Sequence, residues 1–246
     1  MCSSDLMARS AARDTDTATD DRAYQGGRCV RDLPHCQDPL TDCPAHPLAW
    51  PATCNGKGFC EYKPAGGTIA EEHQTEIYIP PGSFPMGAPA GEPDAEPAET
   101  PVHRVIFTRG FFIDKFEVSV LRYESCPGCP TPEVTDWDGL GWGRNSLASG
   151  RGLHPQNGLT WAAARAYCDQ NHQRLPTEAE WEYVATGSTH QLYPWGDQPL
   201  INCVHANFDP DGVYGRPWAC DDCLLDECSG TIPVESNATG ASPFGA

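Results

Sequence analysis

Thirteen cysteines, two pairs of them spaced C-x2-C, are the residues of this 246-residue chain that bear most directly on chemistry. Cys126-Pro127-Gly128-Cys129 and Cys220-Asp221-Asp222-Cys223 have the ligand spacing of a zinc ribbon, but they stand about 90 residues apart, against roughly 15–20 in that motif. A redox reading of either pair lacks a thioredoxin-like βαβ pattern around it. Disulfides are the reading favoured by composition. Cys29, Cys36, Cys43, Cys54 and Cys60 fall among Pro, Asp and Gly with little to form a core, and such a segment is stable only if stapled in an oxidising compartment. The odd total leaves one thiol over, and without Cys2 the remaining twelve can pair completely. Cys168 and His172 have a Cys-x3-His spacing that suggests a nucleophile and its base. Both sit at an expected helix end, where a packed cysteine and a solvated histidine account for them. Glu92, Asp94, Glu96 and Glu99 share a Pro-rich loop over 88–100, which reads as a solvated loop rather than a metal site.

Several elements are expected to position these residues. Thr177 before Glu178 and Glu180 forms a capping box, Pro176 pre-sets the entry, and Gly187 supplies a left-handed stop, so a short helix is expected over roughly 178 to 186. Its apolar stripe is Trp181, Val184 and Ala185. Thr160 caps a second helix in which Trp161, Ala164 and Cys168 share a face, and Ser119 caps a short one holding Leu121 and Tyr123. Glu76 to Ile79, His103 to Thr108 (Val105 and Phe107 on one face) and Phe111 to Phe116 read as strands. The Gly-rich stretch from Gly139 to Gly158 reads as a loop.

Length fits one domain with additions. Residues 1–28 read as a leader: Met1 to Leu6 resembles a translated adapter, and the following residues carry too few large apolar side chains to order themselves. Residues 29–71 read as a cysteine-rich stalk, and residues 72–246 as the folded domain. With 34 acidic against 16 basic side chains, the net charge of −18 argues against a nucleic-acid partner. No run approaches the roughly 18–20 apolar residues of a membrane span. Cysteine usage points to an extracytoplasmic or secreted protein, although no signal peptide is visible.

The identities within these elements are more specific than their periodicity. Arg174-Leu175-Pro176-Thr177-Glu178-Ala179-Glu180-Trp181-Glu182-Tyr183, followed by Tyr193-Pro194-Trp195-Gly196, resembles the signature of the formylglycine-generating enzyme, or sulfatase-modifying factor, family. Ile79 to Gly87, Pro101 to Val105, Phe112 to Ser119, Leu159 to Cys168, Ala206-Asn207 and Gly230 to Val234 match further family motifs in family order.

The resemblance implies a loop-rich α+β fold distantly related to C-type-lectin-like domains. It also implies oxidation of a sulfatase cysteine to formylglycine, using oxygen, a copper ion held by two cysteines, and a groove for the substrate peptide. Those cysteines follow the family motifs Gly-Asn-Val-Trp-Glu-Trp and Arg-Gly-Gly-Ser-Trp, and neither motif occurs in this sequence. The chain is therefore expected to be a C-terminally truncated member with no assignable catalytic residue, and Trp161, Trp181 and Trp195 are expected to leave an exposed apolar patch. By the same resemblance, Asn207, the backbone of Phe208 and Asp226 are candidate calcium ligands, an amide, carbonyl and carboxylate set that suits that ion. A non-catalytic exported binding module on the same fold is the alternative. A non-heme iron sulfoxide synthase ranks last, because no His-x3-His-x-Glu arrangement is present.

Overall fold

A computed structural model describes residues 27–33, 35–37, 53–54, 60–61, 76–89, 91, 95, 97–132, 145–189, 191–197, 205–206 and 231–246. Among them the fold is mixed and loop-rich, with small antiparallel sheets and few helices. The strands are β1 (Val30–Asp32), β2 (Thr53–Cys54), β3 (Cys60–Glu61), β4 (Glu76–Ile79), β5 (Gly82–Met86), β6 (His103–Phe107) and β7 (Phe111–Asp114). The helices are α1 (Val120–Glu124), α2 (Trp161–Gln170) and α3 (Glu178–Thr186).

β7 is the centre of the fold. It is buried along its whole length because both its edges are paired, with β1 on one side and β4 on the other. β5 and β6 form a separate ribbon in which Phe84 lies opposite Val105. Val105 and Phe107 face the core while Ile106 between them is 65% exposed, the alternation expected of a half-buried strand.

All three helices follow their expected start signals, but α2 buries a different face from that expected and α3 buries more than its expected stripe. The Thr160 hydroxyl accepts the Ala163 N–H at 3.1 Å and starts α2. Its buried face is Ala163, Tyr167 and Cys168, while Trp161 is 48% exposed with the Arg165 guanidinium 5.5 Å from its ring centre. α3 spans the expected residues, and the capping box is formed: Thr177 N–H donates to the Glu180 carboxylate at 2.8 Å and Glu180 N–H to the Thr177 hydroxyl at 3.3 Å. The expected stripe of Trp181, Val184 and Ala185 understates its burial. Every residue from Glu182 to Thr186 is buried, and Glu180 with them. Gly187 ends the helix at φ 70°, with its Cα against the Pro243 ring. In α1, Ser119 is the N-cap as expected, Tyr123 is buried and Leu121 is exposed.

An aromatic core joins these elements. Tyr183 of α3 lies 5.3 Å from Phe84, 5.0 Å from Phe107 and 5.1 Å from Phe244, measured between ring centres. Such pairs contribute about 0.5–1.5 kcal/mol each beyond their area burial. Gly82 is required here because a Cβ at that position would strike the Tyr183 hydroxyl.

The boundary expected between stalk and domain does not separate the elements observed. β1 pairs with β7, Val30 is fully buried in the main core, and Cys29 is joined to Cys168 of α2 by a disulfide. Leu33, Cys36 and Cys60 pack on Phe112 of β7 as a satellite cluster. The start of the cysteine-rich segment is thus part of the domain's sheet.

Candidate functional site

The signature segment is held by charged side chains. The Arg174 guanidinium makes two paired contacts, donating to Asp32 at 2.9 and 2.8 Å and to Glu180 at 2.7 and 2.6 Å. Backbone bonds between Val30 and Arg174, at 2.6 and 2.8 Å, tie the same point to β1. Burial works to raise the Glu180 pKa, but the hydrogen bonds from Arg174 and Thr177 outweigh it and hold the carboxyl below its ordinary value. The Arg174 hydrogen bond likewise lowers Asp32, and its two carboxylates raise Arg174. Glu182, also buried, accepts the Gly87 N–H at 2.8 Å and so fastens α3 to the end of β5.

A second buried charge lies on β7. Asp114 has no exposed surface; its carboxylate accepts the Cys29 N–H at 2.9 Å and an Arg122 N–H at 3.0 Å. Burial pushes the Asp114 carboxyl up, and Arg122 and the Cys29 N–H offset this only in part. Burial works to lower Arg122, but the charge and hydrogen bond of Asp114, with Tyr167 and Glu76, together outweigh it and raise the guanidinium. Because the carboxylate is the fully buried partner, desolvation governs it, and Asp114 depends on Arg122 for its charge.

The Tyr193-Pro194-Trp195-Gly196 segment leaves the end of α3, anchored by Gln191 N–H to Thr186 O at 3.1 Å and closed by the Tyr193–Gly196 bridge. Trp195 is sandwiched at 5.2 Å between the Tyr193 and His205 rings, with interplanar angles of 4° and 10°. Three shielded polar atoms in this group have no hydrogen-bond partner: Trp195 Nε1, His205 Nδ1 and Gln191 Oε1. They are an indole donor, an amide acceptor and an imidazole nitrogen. His205 was missed by sequence reasoning: it stands directly before the Ala206-Asn207 motif but outside it.

The stretch read as a plain loop also has a packed interior. Asn145 and Gln156 are fully buried, and Asn145 Nδ2 donates to Pro155 O and the Thr231 hydroxyl, each at 2.8 Å. Val234 N–H donates to Leu153 O at 3.0 Å, so the Thr231 to Val234 motif docks on this loop.

Among the described residues every cysteine is disulfide-bonded, with Cys29–Cys168, Cys36–Cys54 and Cys126–Cys129 as resolved pairs. That removes the nucleophile reading of Cys168, and His172 is exposed at positive φ. The Cys126–Cys129 bond likewise removes that pair as zinc thiolates. Copper does not fit these residues either: their cysteines offer no thiolate, and no three His, Cys, Asp or Glu side chains among them group closely enough to hold an ion. Of the acidic loop, Glu99 is described and is buried rather than solvated. Asn207, Phe208, Asp226 and the Cys220-x2-Cys223 pair lie outside the described residues. Trp195 is stacked and Trp181 packs against the main core, so of the three tryptophans expected to form an exposed patch only Trp161 is substantially exposed.

The model of the sulfatase-modifying factor enzyme 1-like domain matches residues 64–235. A formylglycine-generating enzyme of Mycobacterium tuberculosis is 31% identical over 168 residues, covering 50% of this chain and 54% of that protein. The formylglycine-generating enzyme of Thermomonospora curvata is 33% identical over 201 residues, covering 66% of this chain and 64% of that one. A serine/threonine-protein kinase pkn1 of Chlamydia pneumoniae is 34% identical over 146 residues, which are 54% of this chain and 22% of the kinase. The chain thus spans about half to two thirds of the formylglycine-generating enzymes it matches.

Proposed function

Since this chain belongs to the sulfatase-modifying factor enzyme 1-like domain family, we propose that it is the scaffold of a formylglycine-generating protein and that these 246 residues do not themselves carry the copper-holding cysteine pair. The observation that carries this reading is the absence from the sequence of both motifs that precede the family's copper cysteines. A copper site needs free thiolates held in geometry, and a disulfide sulfur supplies none. Among the described residues, the bonding of every cysteine supports the same reading. The partner in this reading is a sulfatase-type cysteine peptide. The disulfides are compatible with an extracellular location, and export is part of this reading. Among the described residues no helix is long and apolar enough to cross a membrane.

Copper binding tests the reading. Titrated anaerobically against a chromogenic copper(I) chelator, the oxidised chain is expected to leave the chelator's copper in place. Withdrawal of one equivalent, abolished by prior alkylation, is the outcome that contradicts the proposal.

Calcium belongs to the same reading, at Asn207, the Phe208 carbonyl and Asp226. The support is the family resemblance and the donor chemistry, an all-oxygen set of the kind a hard cation takes. Calcium at 100 times its dissociation constant is then expected to add about 2.7 kcal/mol to native stability by linkage. The check is a calcium-dependent rise in melting temperature that Asp226→Ala removes; an unchanged rise in the variant rejects the assignment.

A further inference from the structure

We propose that the Cys126–Cys129 disulfide is a thiol–disulfide exchange site for low-molecular-weight thiols, distinct in role from the bonds that hold the fold. The contrast with Cys29–Cys168 is physical. Cys29 and Cys168 are each 1% exposed, and their bond spans 139 residues. Cys126–Cys129 spans 3 residues, so it removes little freedom from the unfolded chain and has little stabilising role to explain its presence. It is also accessible. Cys126 and Cys129 are half-buried, Pro127 and Gly128 between them are exposed, and Gly128 has nothing within 4 Å of the place its Cβ would occupy.

The turn is held so that the bond meets a cleft. The Ser125 hydroxyl donates to Leu121 O at 2.6 Å and Cys126 N–H to Tyr123 O at 3.0 Å, closing α1 immediately before the pair. Beyond it the Tyr123 hydroxyl donates to Pro130 O at 2.7 Å, fixing the far side. Cys126 lines an open cleft of about 380 Å³ between α1 and the end of α2, with Arg122, Tyr167, Gln170 and Asn171. That volume suits a small molecule rather than a folded partner. The two amide side chains and the guanidinium, whose side chain is 31% exposed, present polar groups to a peptide-like thiol. Cys129 does not line the cleft, which fixes the direction of attack.

An incoming thiolate attacks Cys126 Sγ, a bond forms between its sulfur and Cys126, and the Cys126–Cys129 bond breaks. The electron pair leaves on Cys129 Sγ, which is protonated from solvent. A second thiolate attacks the sulfur of the bound thiol, releasing the oxidised small disulfide and leaving Cys126 as a thiol. Two thiols are oxidised, and the chain gains two electrons and two protons. Neither copper nor the proposed family reaction enters this step, so it stands or falls separately from them.

Glutathione is the probe. The oxidised chain is equilibrated with graded mixtures of reduced and oxidised glutathione, quenched in acid, alkylated and peptide-mapped. Cys126 and Cys129 are expected to be half reduced at a poise at least about tenfold less reducing than Cys29 and Cys168 need. In kinetic runs, oxidised glutathione is expected to modify Cys126 in a Cys129→Ser chain about fivefold faster than Cys129 in a Cys126→Ser chain. Gln170→Trp, at an exposed cleft position, is expected to slow reduction by glutathione several-fold while leaving 2-mercaptoethanol unaffected. Reduction of Cys126–Cys129 only together with Cys29–Cys168 overturns the proposal. Equal modification of the two single cysteines, or an unchanged glutathione rate in Gln170→Trp, overturns the assignment of the cleft.

Discussion

Arg122→Ala is expected to destabilise the domain by about 3–5 kcal/mol at pH 7, the cost of leaving a buried charge without its partner. Asp114 lies at the end of β7 with no exposed surface and keeps one other recorded donor, the Cys29 N–H. The pH dependence has a definite sign. Burial already raises the Asp114 pKa in the folded state, and loss of Arg122 raises it further. A carboxyl with a raised folded pKa does not weaken the native state below its ordinary unfolded value; the weakening grows as the pH rises from that value to the folded pKa and is complete above it. The deficit of Arg122→Ala should therefore be largest at neutral pH and shrink as the medium is acidified. Adding Asp114→Asn should recover part of the neutral-pH loss, because the variant then buries an amide rather than a charge. Urea denaturation of the three chains at neutral and acid pH checks both points; a pH-independent deficit contradicts the assignment of the loss to an unpaired Asp114.

Removing the Cys29–Cys168 bond by the double change Cys29→Ala, Cys168→Ala is expected to cost about 4–5 kcal/mol, because it closes a loop of 139 residues and frees the unfolded chain when lost. The effect is structural as well as entropic. The bond fastens the start of β1 to the end of α2, and backbone hydrogen bonds link the same β1 to the entry of α3 at Arg174. The denaturation midpoint should fall. The slope of free energy against denaturant should rise, since the released chain is more extended when unfolded and exposes more surface. A midpoint unchanged within error contradicts a stabilising role for this bond.

Local signals fixed what short-range physics could reach. Thr177 and Glu180 announced the start of α3 because a capping box is written in four adjacent residues, and the bounds of β4 followed from its alternation. β1 was not legible. Val30-Arg31-Asp32 is too short to show alternation, and its burial follows from pairing with a strand about 80 residues away. For the same reason composition alone assigned Cys29 to a stalk. The buried glutamates were hidden too. A Glu in a helix reads as solvated, and the partners of Glu180 and Glu182, namely Arg174 and the Gly87 N–H, become visible only in three dimensions. The signature Arg174 was visible as a motif residue, but its role as a clamp between Asp32 and Glu180 depends on β1 being in the sheet. In the Tyr193 to Gly196 motif the residues were legible, while the His205 ring stacked on Trp195 was not.

The central claim is that the chain has the family scaffold without the family's copper chemistry. Its most direct test is to incubate the purified oxidised chain with copper, oxygen, a reductant too mild to open its disulfides and a sulfatase-type cysteine peptide, and then to weigh the peptide by mass spectrometry. The peptide is expected to show no aldehyde above a no-protein control. Copper-dependent conversion of its cysteine to formylglycine above that control contradicts the account.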